Sequence, residues 1–164
     1  MPDGWSFHQT GDAGLCRPGL SRGLARSGDT SAFLWSTEQR PNDFCAMQQF
    51  IRSDDFRGKR IELSAWVRAD RVTGWSGLWM RIDGVEETMP FDNMQNRPIR
   101  GTHDWTRHSI VLDVPQSSHT IVYGLLLDGA GKVWLDDVEL EETDKSTPTT
   151  NLFKRSPSNG DFEF

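Results

Sequence analysis

Apolar and polar residues alternate along most of this chain, while the 3.6-residue period of an amphipathic helix is scarce. A period of two sends successive side chains to opposite faces of an extended strand. The pattern therefore predicts strands at 31–36, 44–52, 60–69, 77–83, 105–114, 120–127 and 132–141. In the third of these, Ile61, Leu63, Ala65 and Val67 share one face and leave Glu62, Ser64, Trp66 and Arg68 on the other. The fourth repeats the arrangement, with Leu78, Met80 and Ile82 opposed to Trp79, Arg81 and Asp83. Short strands divided by turn signals predict an all-β chain folded as a two-sheet antiparallel β-sandwich. The run Asp128-Gly129-Ala130-Gly131-Lys132 is expected to be a hairpin turn. Residues 1–142 are expected to form the sandwich, and 143–158, rich in Ser, Thr and Pro, a linker.

Composition narrows the partners. Eighteen basic and 24 acidic residues give a net charge of −6, with no Lys/Arg run to meet nucleic acid or an anionic membrane. No apolar stretch is long enough to span a bilayer, and no signal-peptide pattern opens the chain. The expectation is a soluble protein, cytoplasmic by preference, with secretion left open because a leader can be removed. Cys16 and Cys45 fit no metal spacing and are read as free thiols, a single disulfide being the lesser alternative. Seven tryptophans against one tyrosine are the compositional oddity. Trp offers a flat apolar face and one N–H donor, which suits a core or a platform for ring-shaped ligands.

Two strands each present a Trp and an Arg away from the core. If they are neighbours, Trp66, Arg68, Trp79, Arg81 and Asp83 form one aromatic and charged patch able to bind a small cyclic ligand or glycan. The plainer reading is that Trp and Arg stack on one another and merely cover the sheet. The polar run 91–105 is expected to be a long loop, and within it Asp92 and His103 are the candidates for proton exchange. The plainer reading is the stronger one here, since Asp and Asn residues in such runs usually bond the loop's own backbone. His108 falls in register with Ile110, Leu112 and Val114, at the edge of the core. No phosphate loop, Ser-His-Asp order, Cys-His pairing, zinc spacing or organic-cofactor motif is found.

Four segments carry a resemblance: FRGKRIELSAWVRAD (56–70), FDNMQNRPIRGTHDW (91–105), IVLDVP (110–115) and YGLLLDGAGKVWLDDVELEE (123–142). Together they resemble a bacterial family of carbohydrate-binding-module-like, galactose-binding-like jelly rolls found beside transcription regulators, peptidases and erythromycin-esterase-like proteins. The resemblance implies a ligand-binding sandwich. A related scaffold serves stand-alone natural-product cyclases, so one alternative is a cofactor-free cyclase or isomerase using Asp83, Asp92 and His103. Another is the ligand-sensing domain of a regulator. Asn159-Gly160-Asp161-Phe162-Glu163-Phe164 resembles the opening strand of such modules, although here it comes last. It is expected to return to its own sandwich, to be exchanged into a strand-swapped homodimer, or to begin a fused neighbouring domain. The resemblance also implies a structural calcium held by Glu163, the 27–30 loop with Asp29, and Asp136 or Asp137.

Overall fold

The computed structural model describes residues 1–11, 15–37, 43–86 and 89–153. Among the described residues nine strands are formed: β1 (Trp5–Gln9), β2 (Cys16–Arg22), β3 (Thr30–Ser36), β4 (Phe44–Arg52), β5 (Arg60–Gly84), β6 (Phe91–Asp92), β7 (Ile99–Asp113), β8 (Ser118–Asp128) and β9 (Gly131–Thr143). Every pairing is antiparallel. The all-β sandwich expected from the alternation is the architecture observed.

The segments expected as separate strands at 60–69 and 77–83 are one 25-residue strand, β5, that belongs to both sheets. Its first part pairs with β7 and β9, and its second part pairs with β8 and, at Met80 and Arg81, with β6. The first sheet therefore runs β7–β5–β9–β3–β2 and the second β6–β5–β8–β4–β1. The strand turns its corner at Arg71, whose φ is 50°, with register shifts against β7 on either side of Val72. Such irregularities bend a strand and re-aim its side chains.

Between the sheets lie the alternate residues that the period of two selected. Ile61, Leu63, Ala65 and Val67 from the first part of β5 meet Leu78, Met80 and Ile82 from the second, and all are buried. Ile110 and Leu112 of β7, Ile121 and Leu125 of β8 and Val133 of β9 complete the layer. The glycine-rich turn after Asp128 is not a hairpin, because β8 pairs with β4 and β5 while β9 pairs with β5 and β3. It carries the chain from one sheet to the other across the β5 corner. A Cβ at Gly131 would lie 2.8 Å from Val72 Cα, which explains a glycine there.

Cys16 of β2 and Cys45 of β4 are joined by a disulfide, Cα to Cα 6.3 Å, so neither is the free thiol expected. Both are buried. The bridge ties the edge strand of the first sheet to the second sheet, a tertiary proximity that spacing along the chain does not encode.

The segment expected to be a linker is strapped to the sandwich as far as Phe153. Arg60 donates to the carbonyls of Lys145 (2.6 Å) and Thr147 (2.7 Å), Thr150 N–H to Val111 (2.8 Å) and Leu152 N–H to Phe91 (2.8 Å). The tail 159–164 and the end of the expected linker lie outside the described residues.

Candidate functional site

On the outer face of the second sheet, the registers of β5, β8, β4 and β1 set three rows across the strands. Trp75, Asp128 and Phe44 are aligned, then Gly77, Leu126, Ala46 and His8, then Trp79, Gly124, Gln48 and Ser6. Gly77, Ala46 and Gly124 leave room among the larger Trp75, Phe44, Trp79 and His8, so the sheet surface is hollowed. The result is a cleft of about 320 Å³ lined by Phe44, Trp75, Trp79, Phe91 and Leu126 with His8, Gln48, Arg81, Asn93 and Asp128. Its size lies at the lower end of the usual range for small-ligand sites, and few polar groups converge on an apolar lining as such sites require.

Trp79 forms the floor. It is 8% exposed, packs with Ala46, Val122 and Leu126, and its indole N–H has no partner among the described residues. Trp75 stands half-buried at the wall. Arg81 reaches the cleft with its guanidinium held by Asp83, Nε to Oδ1 at 2.6 Å and Nη2 to Oδ2 at 3.1 Å. Asp83 itself lines the neighbouring hollow beside Phe153 and acts on the cleft by fixing Arg81. Asn93 Oδ1 accepts the N–H of Gln95 at 3.0 Å, leaving the NH2 group as the donor available to a ligand. Burial, with Asp43 nearby, raises the Asp128 carboxyl above its ordinary pKa.

The expected five-residue patch is divided between the two sheets. Trp79, Arg81 and Asp83 are on the second sheet, while Trp66 and Arg68 face outward on the first, because the two segments are successive parts of one bent strand and not paired neighbours. The Arg26 guanidinium lies 4.1 Å from the Trp66 ring, and Arg68 meets Asp104 at 3.3 Å with Trp134 5.9 Å away. On this face Trp and Arg do stack and cover the sheet.

Asp83, Asp92 and His103 are not brought together either. Asp92 is fully buried, and both its oxygens are engaged, by Arg97 at 2.6 and 3.2 Å and by the N–H of Met94 at 2.9 Å. His103 is exposed on β7 opposite Ala69. The loop expected at 91–105 is a short turn between β6 and β7, pinned by that ion pair. Removing one partner of a buried pair usually costs about 3–5 kcal/mol. Because Arg97 is 34% exposed, Asp92→Asn is expected to cost about 2 kcal/mol in urea unfolding. His108 is half-buried, and burial first, then Arg97 and His103, lower its pKa.

For calcium, the described residues do not complete a shell. Asp136 Oδ2 accepts the N–H groups of Arg26 (2.8 Å) and Ser27 (3.1 Å), and Oδ1 accepts that of Asp137 (2.9 Å). Asp137 accepts the Ser27 hydroxyl. Asp29 is exposed, and Glu163 lies outside the described residues. Among the described residues no group of three His, Cys, Asp or Glu is placed to hold a metal. Direct hydrogen bonds thus join the 23–29 loop to β9 at the place where the ion was expected.

The sequence reading missed Trp75, Phe44, Gln48, Asn93 and Asp128. Trp75 was findable, since Trp75, Gly77, Trp79 and Arg81 continue one period of two had the strand been extended by one step.

No protein-family model matches the chain. Over 136 residues it is 43% identical to the Uncharacterized HTH-type transcriptional regulator YbfP of Bacillus subtilis (strain 168), covering 82% of this chain and 46% of that protein. The chain thus spans a little under half the length of this curated relative. Among solved structures it is similar to the CBM22-1 xylan-binding domain of Paenibacillus barcinonensis Xyn10C, with a TM-score of 0.56, 14% identity and 86% of each chain covered. It is similar also to TmCBM61 in complex with β-1,4-galactotriose, with a TM-score of 0.57, 11% identity and coverage of 86% of this chain and 90% of that one. The enzymatically active domain of bacteriophage CBA120 tailspike protein 4 gives a TM-score of 0.64 at 13% identity, over 86% of this chain and 20% of that one. At these identities the likeness is one of fold, and the fold is that of the carbohydrate-binding-module-like jelly rolls.

Proposed function

We propose that the cleft on the second sheet binds a short saccharide without converting it. The observation that carries this reading is the cleft itself: aromatic walls at Phe44, Trp75 and Phe91 around a floor at Trp79, with amide, guanidinium and carboxyl groups converging from three strands and the turn after β6. The apolar face of a pyranose ring stacks on an indole, and its hydroxyls take donors and acceptors of the kinds that Gln48, Asn93, Arg81 and Asp128 supply. The fold shared with xylan-binding and galactotriose-bound modules supports a neutral, β-linked ligand. The test is a tryptophan-fluorescence titration with xylohexaose, β-1,4-galactotriose and an apolar polycycle, with mass spectrometry of the ligand afterwards. Saturable quenching by a saccharide recovered unchanged is the expected result. Response only to the polycycle, with conversion of it, would replace this reading by the cyclase one.

The 43% identity to a regulator favours a second role for the same cleft, as the sensor through which a regulator reads a sugar. In that role binding is the event to be transmitted, and the chemistry of the cleft is unchanged.

A further inference from the structure

The binding surface does not end where the cleft meets Arg81. Beyond it, still along β5, lies an open hollow of about 570 Å³ formed by Arg81, Asp83, Glu86, Met89, Phe91 and Phe153. Cleft and hollow share Arg81 and Phe91, which face each other across the β5–β6 pair. From Trp75 to Asp83 the strand keeps one register against β8, so the two depressions stand in line over about 27 Å of extended backbone. A ligand that follows β5 out of the cleft enters the hollow.

The strap supplies the aromatic part of the hollow. Phe153 stacks on Phe91 with ring centroids 5.0 Å apart and planes 23° from parallel. Asn151 Oδ1 accepts the N–H groups of both Phe91 and Phe153 at 3.0 Å, and Leu152 N–H donates to the Phe91 carbonyl at 2.8 Å. Phe153 nevertheless stays 49% exposed. A ring whose backbone is fixed but whose face is half in water adds little burial to the fold, and little ordering remains to be done when a ligand packs on it. Each Asp83 oxygen accepts from Arg81 and keeps a further acceptor position for a sugar hydroxyl. Glu86 adds a second carboxylate against the one guanidinium, so the hollow suits a neutral sugar and disfavours an acidic one.

Resting on the saccharide reading of the cleft, we propose that the hollow is a second subsite for the same ligand, with Phe153 as its stacking plate. The whole site then takes a neutral oligosaccharide laid along β5 from Trp75 to beyond Arg81.

Calorimetric titration with di- to hexasaccharides of β-1,4-linked xylose and of β-1,4-linked galactose tests this, beside a thermal melt of each variant. The native chain is expected to bind the hexasaccharide of one series roughly tenfold more tightly than its disaccharide. In Phe153→Ala that gain is lost while disaccharide affinity holds, and Phe153→Tyr restores it. Equal weakening of both lengths in Phe153→Ala would make the ring a prop for Phe91 and overturn the second subsite. A native chain that binds disaccharide and hexasaccharide alike would overturn it too, with the cleft reading left standing. Binding of no saccharide in either series would sink the cleft reading itself, and the subsite with it.

Discussion

Trp75→Ala is expected to weaken saccharide binding roughly thirtyfold while moving the melting temperature by only a few degrees. A well-placed aromatic at the centre of a binding surface carries about 2 kcal/mol or more, and each 1.4 kcal/mol is about a factor of ten in affinity. Trp75 is suited to separate binding from folding, because it stands half-buried at the cleft wall. Trp79 does not separate them, since it is 8% exposed and packed among Ala46, Val122 and Leu126. Its loss would cost about 3–5 kcal/mol of stability by the usual cavity cost. Calorimetric titration beside a thermal melt checks the prediction, with Trp66→Ala as the comparison. That change lies on the other sheet and is expected to leave affinity unaltered. Equal losses from Trp66→Ala and Trp75→Ala would place the ligand elsewhere or make both effects unspecific.

Removing the Cys16–Cys45 bridge is expected to cost about 3–4 kcal/mol, the chain-entropy value for a closed loop of this length. For a domain of this size that lowers the melting temperature by about 10 °C. Scanning calorimetry of the native chain against Cys16→Ser/Cys45→Ser measures it. Strand β4 places Phe44 in the cleft immediately before Cys45, so loosening the bridge is also expected to weaken the ligand. An unchanged melting temperature would show that the sheets hold together without the bridge.

The facing of side chains within strands was legible because it is local. Ile61, Leu63, Leu78 and Met80 are at most 1% exposed, as their alternation predicts. How strands are joined was not legible. Asp70 and Gly74 carry turn chemistry, yet β5 continues through them, bending at Arg71 while Val72 still pairs with Gly101. That one misreading put Trp66 and Trp79 on a common patch. Strand β2 escaped notice because it contains Pro18 and Gly19, residues tolerated at a sheet edge but depleted in strands generally. The disulfide was hidden for a different reason: its partners meet only once two sheets are stacked.

The cleft was half visible, in Trp79 and Arg81. Its other walls come from β4, β6 and β8. Their contribution depends on register, and register is fixed by pairing partners that lie as far apart in sequence as Phe44 and Asp128. Asp92 was read correctly as polar loop chemistry in its plainer alternative, since it bonds its own turn through Met94 and Arg97.

The most direct measurement is the response of the indole N–H resonances of the seven tryptophans to a saccharide. Trp75 and Trp79 are expected to shift with saturation, while Trp66 and Trp134, on the opposite sheet, stay in place. Shifts confined to Trp66 and Trp134 would contradict the account and move the binding face to the first sheet.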